Sequence, residues 1–183
     1  MLTVRPLICA LQTLLAILLL TMPLAGPAPA ADLSKGLEPA DLPAPEKGEM
    51  VLEVATAAGP QAYDLATLEA LGAYRMTTRS LWDQDIVTFE GVLLVDLLKD
   101  AGLGEIGAVE LTALDGYSQV IPRKDWTSYP VLLATREDGK VLLGSERGPL
   151  RVVYPLSVYP ELDEDAYHER WVWSLARIRP VER

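Results

Sequence analysis

The chain holds one cysteine and one histidine among its 183 residues. The cysteine, Cys9, lies in an N-terminal stretch that reads as a removable leader, so the exported protein is expected to carry no thiol. That excludes disulfides, a cysteine nucleophile, zinc–thiolate sites and thiolate ligation of a redox metal. With His168 alone, no multi-histidine metal site can form. A single histidine near a chain end is more often a surface residue than a catalyst. Positive charge is scarce as well: 16 Lys and Arg stand against 26 Asp and Glu, a net charge of −10. Such a surface disfavours nucleic acid and anionic lipid as partners.

What is present begins with the leader. Arg5 precedes an apolar run, Leu7 to Leu20, broken only by Gln12 and Thr13, and Ala28-Pro29-Ala30 has the small-x-small form of a cleavage region. Residues 1–30 therefore read as a secretory signal peptide. The run is short for a membrane span, although an uncleaved anchor is the alternative. Cys9 lies too early to take a lipid at the cleavage point. Export to an oxidising space without cysteines requires the fold to hold by its core alone. Residues 31–48 carry four acidic residues, three prolines and two glycines, and read as an extended, mobile linker. Residues 49–183 then form one domain, long enough for a full core.

Within that domain Val51 to Val54 reads as a strand and Gly59-Pro60 as a turn. Asp64 caps a short helix, Leu65 to Leu71. Tyr74 to Ser80 and Ile86 to Phe89 read as strands. Val92 to Ala101 is the clearest helix, with Leu94, Val95, Leu97, Leu98 and Ala101 on one face and Gly102 ending it. Val109 to Leu114 and Tyr117 to Ile121 flank the turn pair Asp115-Gly116 as a hairpin. Val131 to Arg136 and Lys140 to Leu143 flank Asp138-Gly139 in the same way. Leu150 to Tyr154 and Trp171 to Ile178 are the last strands. The fold class expected is α+β, mostly β.

The order of these motifs resembles a known family. Tyr63-Asp64-Leu65 with Leu68 comes first, then Phe89-Glu90-Gly91-Val92-Leu93-Leu94 with Leu97-Leu98 and Ala101-Gly102. Asp115-Gly116-Tyr117 with Ile121-Pro122 follows, then Leu133-Ala134 with Asp138-Gly139-Lys140. Arg147-Gly148-Pro149-Leu150-Arg151-Val152-Val153-Tyr154-Pro155 and a Trp-bearing strand ending in Arg177-Ile178 complete the set. Together they resemble the oxidoreductase molybdopterin-binding domain, the sulfite-oxidase-like fold, over nearly all of the chain after Glu49. The resemblance implies a cysteine that binds molybdenum between the first strand–helix unit and the Gly91-Val92 helix start. That interval here, Tyr74 to Trp82, has no cysteine. Serine or threonine oxygen is a poor substitute in this fold, and the family's usual histidines are missing.

A pocket shaped for a pterin cofactor can hold a pterin without the metal. Such a ring needs an aromatic or guanidinium plane and a few fixed polar partners. The matching positions offer Arg79 and Trp82, Asp115 and Tyr117, and Arg147 with Tyr154. All but Arg147 have a plainer reading: Asp115 as a turn starter, Tyr117 and Trp82 as core aromatics, Arg79 as a solvent-facing cation, and Tyr154 as core. Trp171 and Trp173 read as core more readily than site. The cluster Asp163-Glu164-Asp165 with Glu169 lacks the spacing of a calcium loop. The resemblance thus implies a periplasmic, metal-free pterin-binding protein, similar to small cysteine-less relatives that feed a membrane-bound signalling partner. Pterin is the candidate ligand, with no molybdenum and no nucleic acid. The alternatives are a molybdopterin-dependent oxidoreductase with an atypical metal ligand, or a scaffold with no ligand.

Overall fold

The computed structural model describes residues 32–45, 48, 50–82, 84–144 and 147–181. The expected signal peptide, residues 1–30, lies outside the described residues. Among those described, the strands form two sheets. The first contains β1 (Leu37–Pro39), β4 (Ala73–Arg79), β5 (Ile86–Leu93), β8 (Leu132–Glu137) and β10 (Arg151–Val153) in that spatial order, with β9 (Lys140–Val141) paired to β8. The second runs β3 (Gly59–Tyr63), β2 (Leu52–Thr56), β11 (Leu175–Pro180), β6 (Ala108–Ala113) and β7 (Ser118–Pro122). All pairings are antiparallel except β11 with β2. The helices are short: α1 (Leu65–Glu69), α2 (Leu94–Asp100), α3 (Arg123–Ser128) and α4 (Asp165–His168). The domain is α+β and mostly β, as its patterning predicts. No helix among the described residues is long and apolar enough to cross a membrane.

Local chemistry accounts for much of this. Asp64 caps α1 by accepting from the Thr67 amide at 2.7 Å. Gly102, at φ +71°, ends α2, and the Leu103 amide reaches back to the Leu98 carbonyl at 2.7 Å. One apolar cluster draws on both sheets, with Phe89, Leu133 and Val152 from the first and Val54, Leu111 and Ile178 from the second. Gly91 permits the closest approach in the first sheet. A Cβ there would lie 2.0 Å from the Leu133 carbonyl oxygen, where the β5–β8 register shifts.

The structure differs from the sequence expectation in several places. Gly59-Pro60 begins β3 instead of forming the turn, which falls at Ala57-Ala58. Val92 and Leu93 belong to β5, not to α2, because they pair with Leu133 and Leu132 of β8. The last strand begins at Leu175, not Trp171, because Ser174 sits at φ +49° and breaks the extended run. Leu37–Pro39, inside the segment read as a linker, is extended but pairs with Tyr74–Met76 as the edge of the first sheet. Arg136 secures the same segment further on by donating to the Pro43 carbonyl at 2.7 Å. Helix α3 has no pattern signal: six residues are too few for a periodicity.

Candidate functional site

The β4–β5 hairpin loop carries Trp82 to one end of the domain. The Ser80 amide closes the loop onto the Asp85 carbonyl at 2.7 Å, and Gln84 donates to the Leu81 carbonyl at 2.7 Å. The β6–β7 turn brings Asp115 and Tyr117 to the same end, with Asp115 Oδ1 accepting the Tyr117 amide at 2.9 Å. The stretch after α4 completes the site. It is held by Val152 donating to the Val172 carbonyl at 2.8 Å and Ser174 donating to the Arg147 carbonyl at 2.9 Å. These pieces enclose an open cleft of about 270 Å³. Its walls are the rings of Trp82, Tyr117, Trp171 and Trp173, and its polar lining is Asp115, His168 and Glu169.

The aromatic wall is ordered from the core outward. Phe89, fully buried, meets Trp171 edge-on at 6.4 Å, and Trp171 meets Trp82 edge-on at 5.8 Å. Trp82 stacks on Trp173 with centroids 4.5 Å apart and planes 21° from parallel. The Arg147 guanidinium lies 5.5 Å from the Trp82 ring and 5.1 Å from the Trp173 ring. Arg147 reaches that position with φ +65°, ahead of Gly148, where any Cβ would lie 2.6 Å from the Leu142 carbonyl. The Trp171 indole N–H is buried and has no hydrogen-bond partner among the described residues.

The polar lining is strongly acidic. Tyr117 spends its hydroxyl proton on the Glu169 backbone carbonyl at 2.7 Å and accepts from Gln119 at 3.0 Å. The Glu169 carboxylate has neither an ion pair nor a hydrogen bond among the described residues. His168 Nε2 lies 2.9 Å from Asp163 Oδ1. Asp163 also takes a short contact from Arg79, and that guanidinium first, then His168, holds its carboxyl below the usual carboxylate range.

The six residues singled out from sequence thus separate. Trp82, Asp115 and Tyr117 line the cleft, and Arg147 packs against its Trp82–Trp173 wall. Arg79 lies outside the lining, donating to Gln84 at 2.6 Å and pairing with Asp163. Tyr154 also lies outside it. Tyr154 is fully buried and donates to Asp125 Oδ2 at 2.9 Å, which also accepts from Arg170 at 2.7 Å. Burial, and then the adjacent Asp125 charge, push its phenol well above the ordinary tyrosine value. Conversely, Trp171, Trp173, His168 and Glu169 line the cleft. The sequence signal for them was the pair Trp171 and Trp173, which read as core because nothing in the pattern placed Trp82 against them.

Residues 53–159 match the sequence model of the oxidoreductase molybdopterin binding domain. The chain belongs to that family. Among solved structures, the crystal structure of the sulfane dehydrogenase SoxCD from Paracoccus pantotrophus is similar, with a TM-score of 0.56 at 18% sequence identity. The likeness covers 72% of this chain and 38% of the SoxCD chain, and it shows the shared fold. No curated protein sequence matches the chain.

A molybdopterin-binding domain raises the question of what its site residues can hold. The stretch Tyr74 to Trp82 has no thiol; of its Ser and Thr hydroxyls, Thr78 and Ser80 are buried, and Thr77 is exposed and hydrogen-bonded to the Thr88 hydroxyl at 3.1 Å. Thr78 Oγ1 already accepts the Ser157 amide at 3.1 Å. Among the described residues, no group of three His, Cys, Asp or Glu side chains is placed to hold a metal ion. This donor set does not fit molybdenum held by a protein thiolate. The cleft beside it presents aromatic side chains together with polar ones.

Proposed function

We propose that this molybdopterin-binding domain binds a pterin-type ring in the Trp82–Trp171–Trp173 cleft without molybdenum, as a ligand sensor and not as a redox enzyme. The observation that carries the reading is the aromatic wall next to a stretch that lacks the metal-binding cysteine. At about 270 Å³ the cleft is at the small end of ligand sites, which run to roughly 1,000 Å³. It suits a bicyclic ring better than a large cofactor. Export, as expected from residues 1–30, would place the protein in the periplasm, where a membrane-bound signalling protein is the partner that could read its occupancy.

The test is quenching of tryptophan fluorescence by pterin, backed by calorimetry. Replacing Trp82 by Ala removes one stacking face and should weaken binding about tenfold, since an aromatic pair is worth roughly 1 kcal/mol beyond its buried area. Trp82 is 36% exposed, so folding should survive the change. No quenching by either oxidised or reduced pterin would sink the proposal. So would molybdenum near one atom per chain in protein made by a cofactor-competent host.

A further inference from the structure

The charges around the cleft say more about the ligand than its aromatic walls do. We infer that Glu169 is the specificity-determining residue. It grips the paired N–H groups of a 2-amino-4-oxopyrimidine edge, and with Asp115 it turns away rings that carry an anionic tail. The inference rests on the ring-binding reading above and deepens it.

Three independent features support it. First, the open cleft has aromatic walls, so a ring that packs against them loses water there and its polar edge gains from fixed partners. Second, the two carboxylates of the lining lack cations. Glu169 has no side-chain partner among the described residues, and Asp115 accepts only its own turn amide through Oδ1. Arg147 packs against the Trp82 and Trp173 rings instead of lining the cleft. Third, the Trp171 indole N–H has no acceptor among the described residues, so neither carboxylate of the lining is spent on that donor.

The chemistry of the edge follows. A 2-amino-4-oxopyrimidine presents its ring N–H and its amino N–H side by side, and a carboxylate accepts such a pair bidentately, as it accepts a guanidinium. Between the two acids, Glu169 has both oxygens open, whereas Asp115 has one committed to the turn. Glu169 is also fixed at its root, because Tyr117 and the Asp165 carbonyl hold its backbone. A phosphate or carboxylate tail would meet two uncompensated negative charges in a domain that is already acidic.

The experiment compares four probes on the purified full chain by fluorescence quenching. Pterin carries the edge. Lumazine has the same ring with the 2-amino group replaced by oxygen. Pterin-6-carboxylate adds an anion. Guanosine offers the same edge on a different ring. Pterin should bind at least tenfold tighter than lumazine, and tighter than pterin-6-carboxylate. Glu169→Gln should cost pterin about tenfold and leave lumazine unchanged, with thermal stability intact because the side chain is exposed. Glu169→Gln with Asp115→Asn should let pterin-6-carboxylate bind as well as pterin does. Guanosine binding with the same sensitivity to Glu169→Gln supports the edge and widens its source; guanosine binding insensitive to that change counts against it. Equal binding of pterin and lumazine, unaltered by Glu169→Gln, overturns this inference and leaves ring binding standing. Failure of every probe overturns the ring-binding reading itself.

Discussion

Replacing Tyr154 by Phe separates a buried structural tyrosine from a ligand contact. Tyr154 is fully buried, and its hydroxyl donates one hydrogen bond, to Asp125 Oδ2 at 2.9 Å. Asp125 is 1% exposed and depends on that hydroxyl and on Arg170 at 2.7 Å. Removing the hydroxyl leaves the ring packing intact and leaves the carboxylate with Arg170 alone. A hydrogen bond to a charged group contributes roughly 1.5–3 kcal/mol, so the loss should be about 2 kcal/mol. In a chain of this size each kcal/mol moves Tm by roughly 2–4 °C, which makes the expected fall about 4–8 °C. The assay is thermal unfolding followed by circular dichroism, run beside the pterin titration. Affinity should stay within twofold, because Tyr154 does not line the cleft. An unchanged Tm would refute the energetic reasoning. Lost affinity at an unchanged Tm would return Tyr154 to the ligand site.

Two further outcomes test other parts of the domain. Glu69→Ala should destabilise it by about 3–5 kcal/mol, because it strands the buried Arg136 guanidinium, which now donates to both Glu69 carboxylate oxygens at 3.0 Å; replacing the pair together with apolar residues should recover much of that loss in a urea unfolding series. Asp163→Asn should matter most above about pH 4 and progressively less below it. A carboxyl whose folded value is lowered stabilises the fold above its unfolded value of about 3.9, and that contribution is lost as pH falls through the lower folded value. The Tm difference between the parent and Asp163→Asn should therefore shrink steadily from pH 5 to pH 2, and a constant difference would count against the Arg79–Asp163–His168 link.

Local patterning by itself determined a good deal of this protein. The cap at Asp64, the αL glycine at 102 and the Asp115-Gly116 turn each depend on the chemistry of a few adjacent residues, so their positions could be read before any contact was known. The mostly β composition and the family followed from the order of such motifs. The absence of a thiol from Tyr74 to Trp82 needed no structure at all. Tertiary contact decided the rest. Val92 and Leu93 look helical on their own and become strand because Leu132 and Leu133 lie beside them. Leu37–Pro39 has a linker's composition and becomes an edge strand because β4 offers unpaired backbone. The cleft was half legible for the same reason. Trp82, Asp115 and Tyr117 lie close to motifs, whereas Glu169, Trp171 and Trp173 join them only because the segment after α4 folds back between β10 and the β6–β7 turn. Distance along the chain hides such partners, since side chains some ninety residues apart share no local pattern and meet only through the two sheets that carry them.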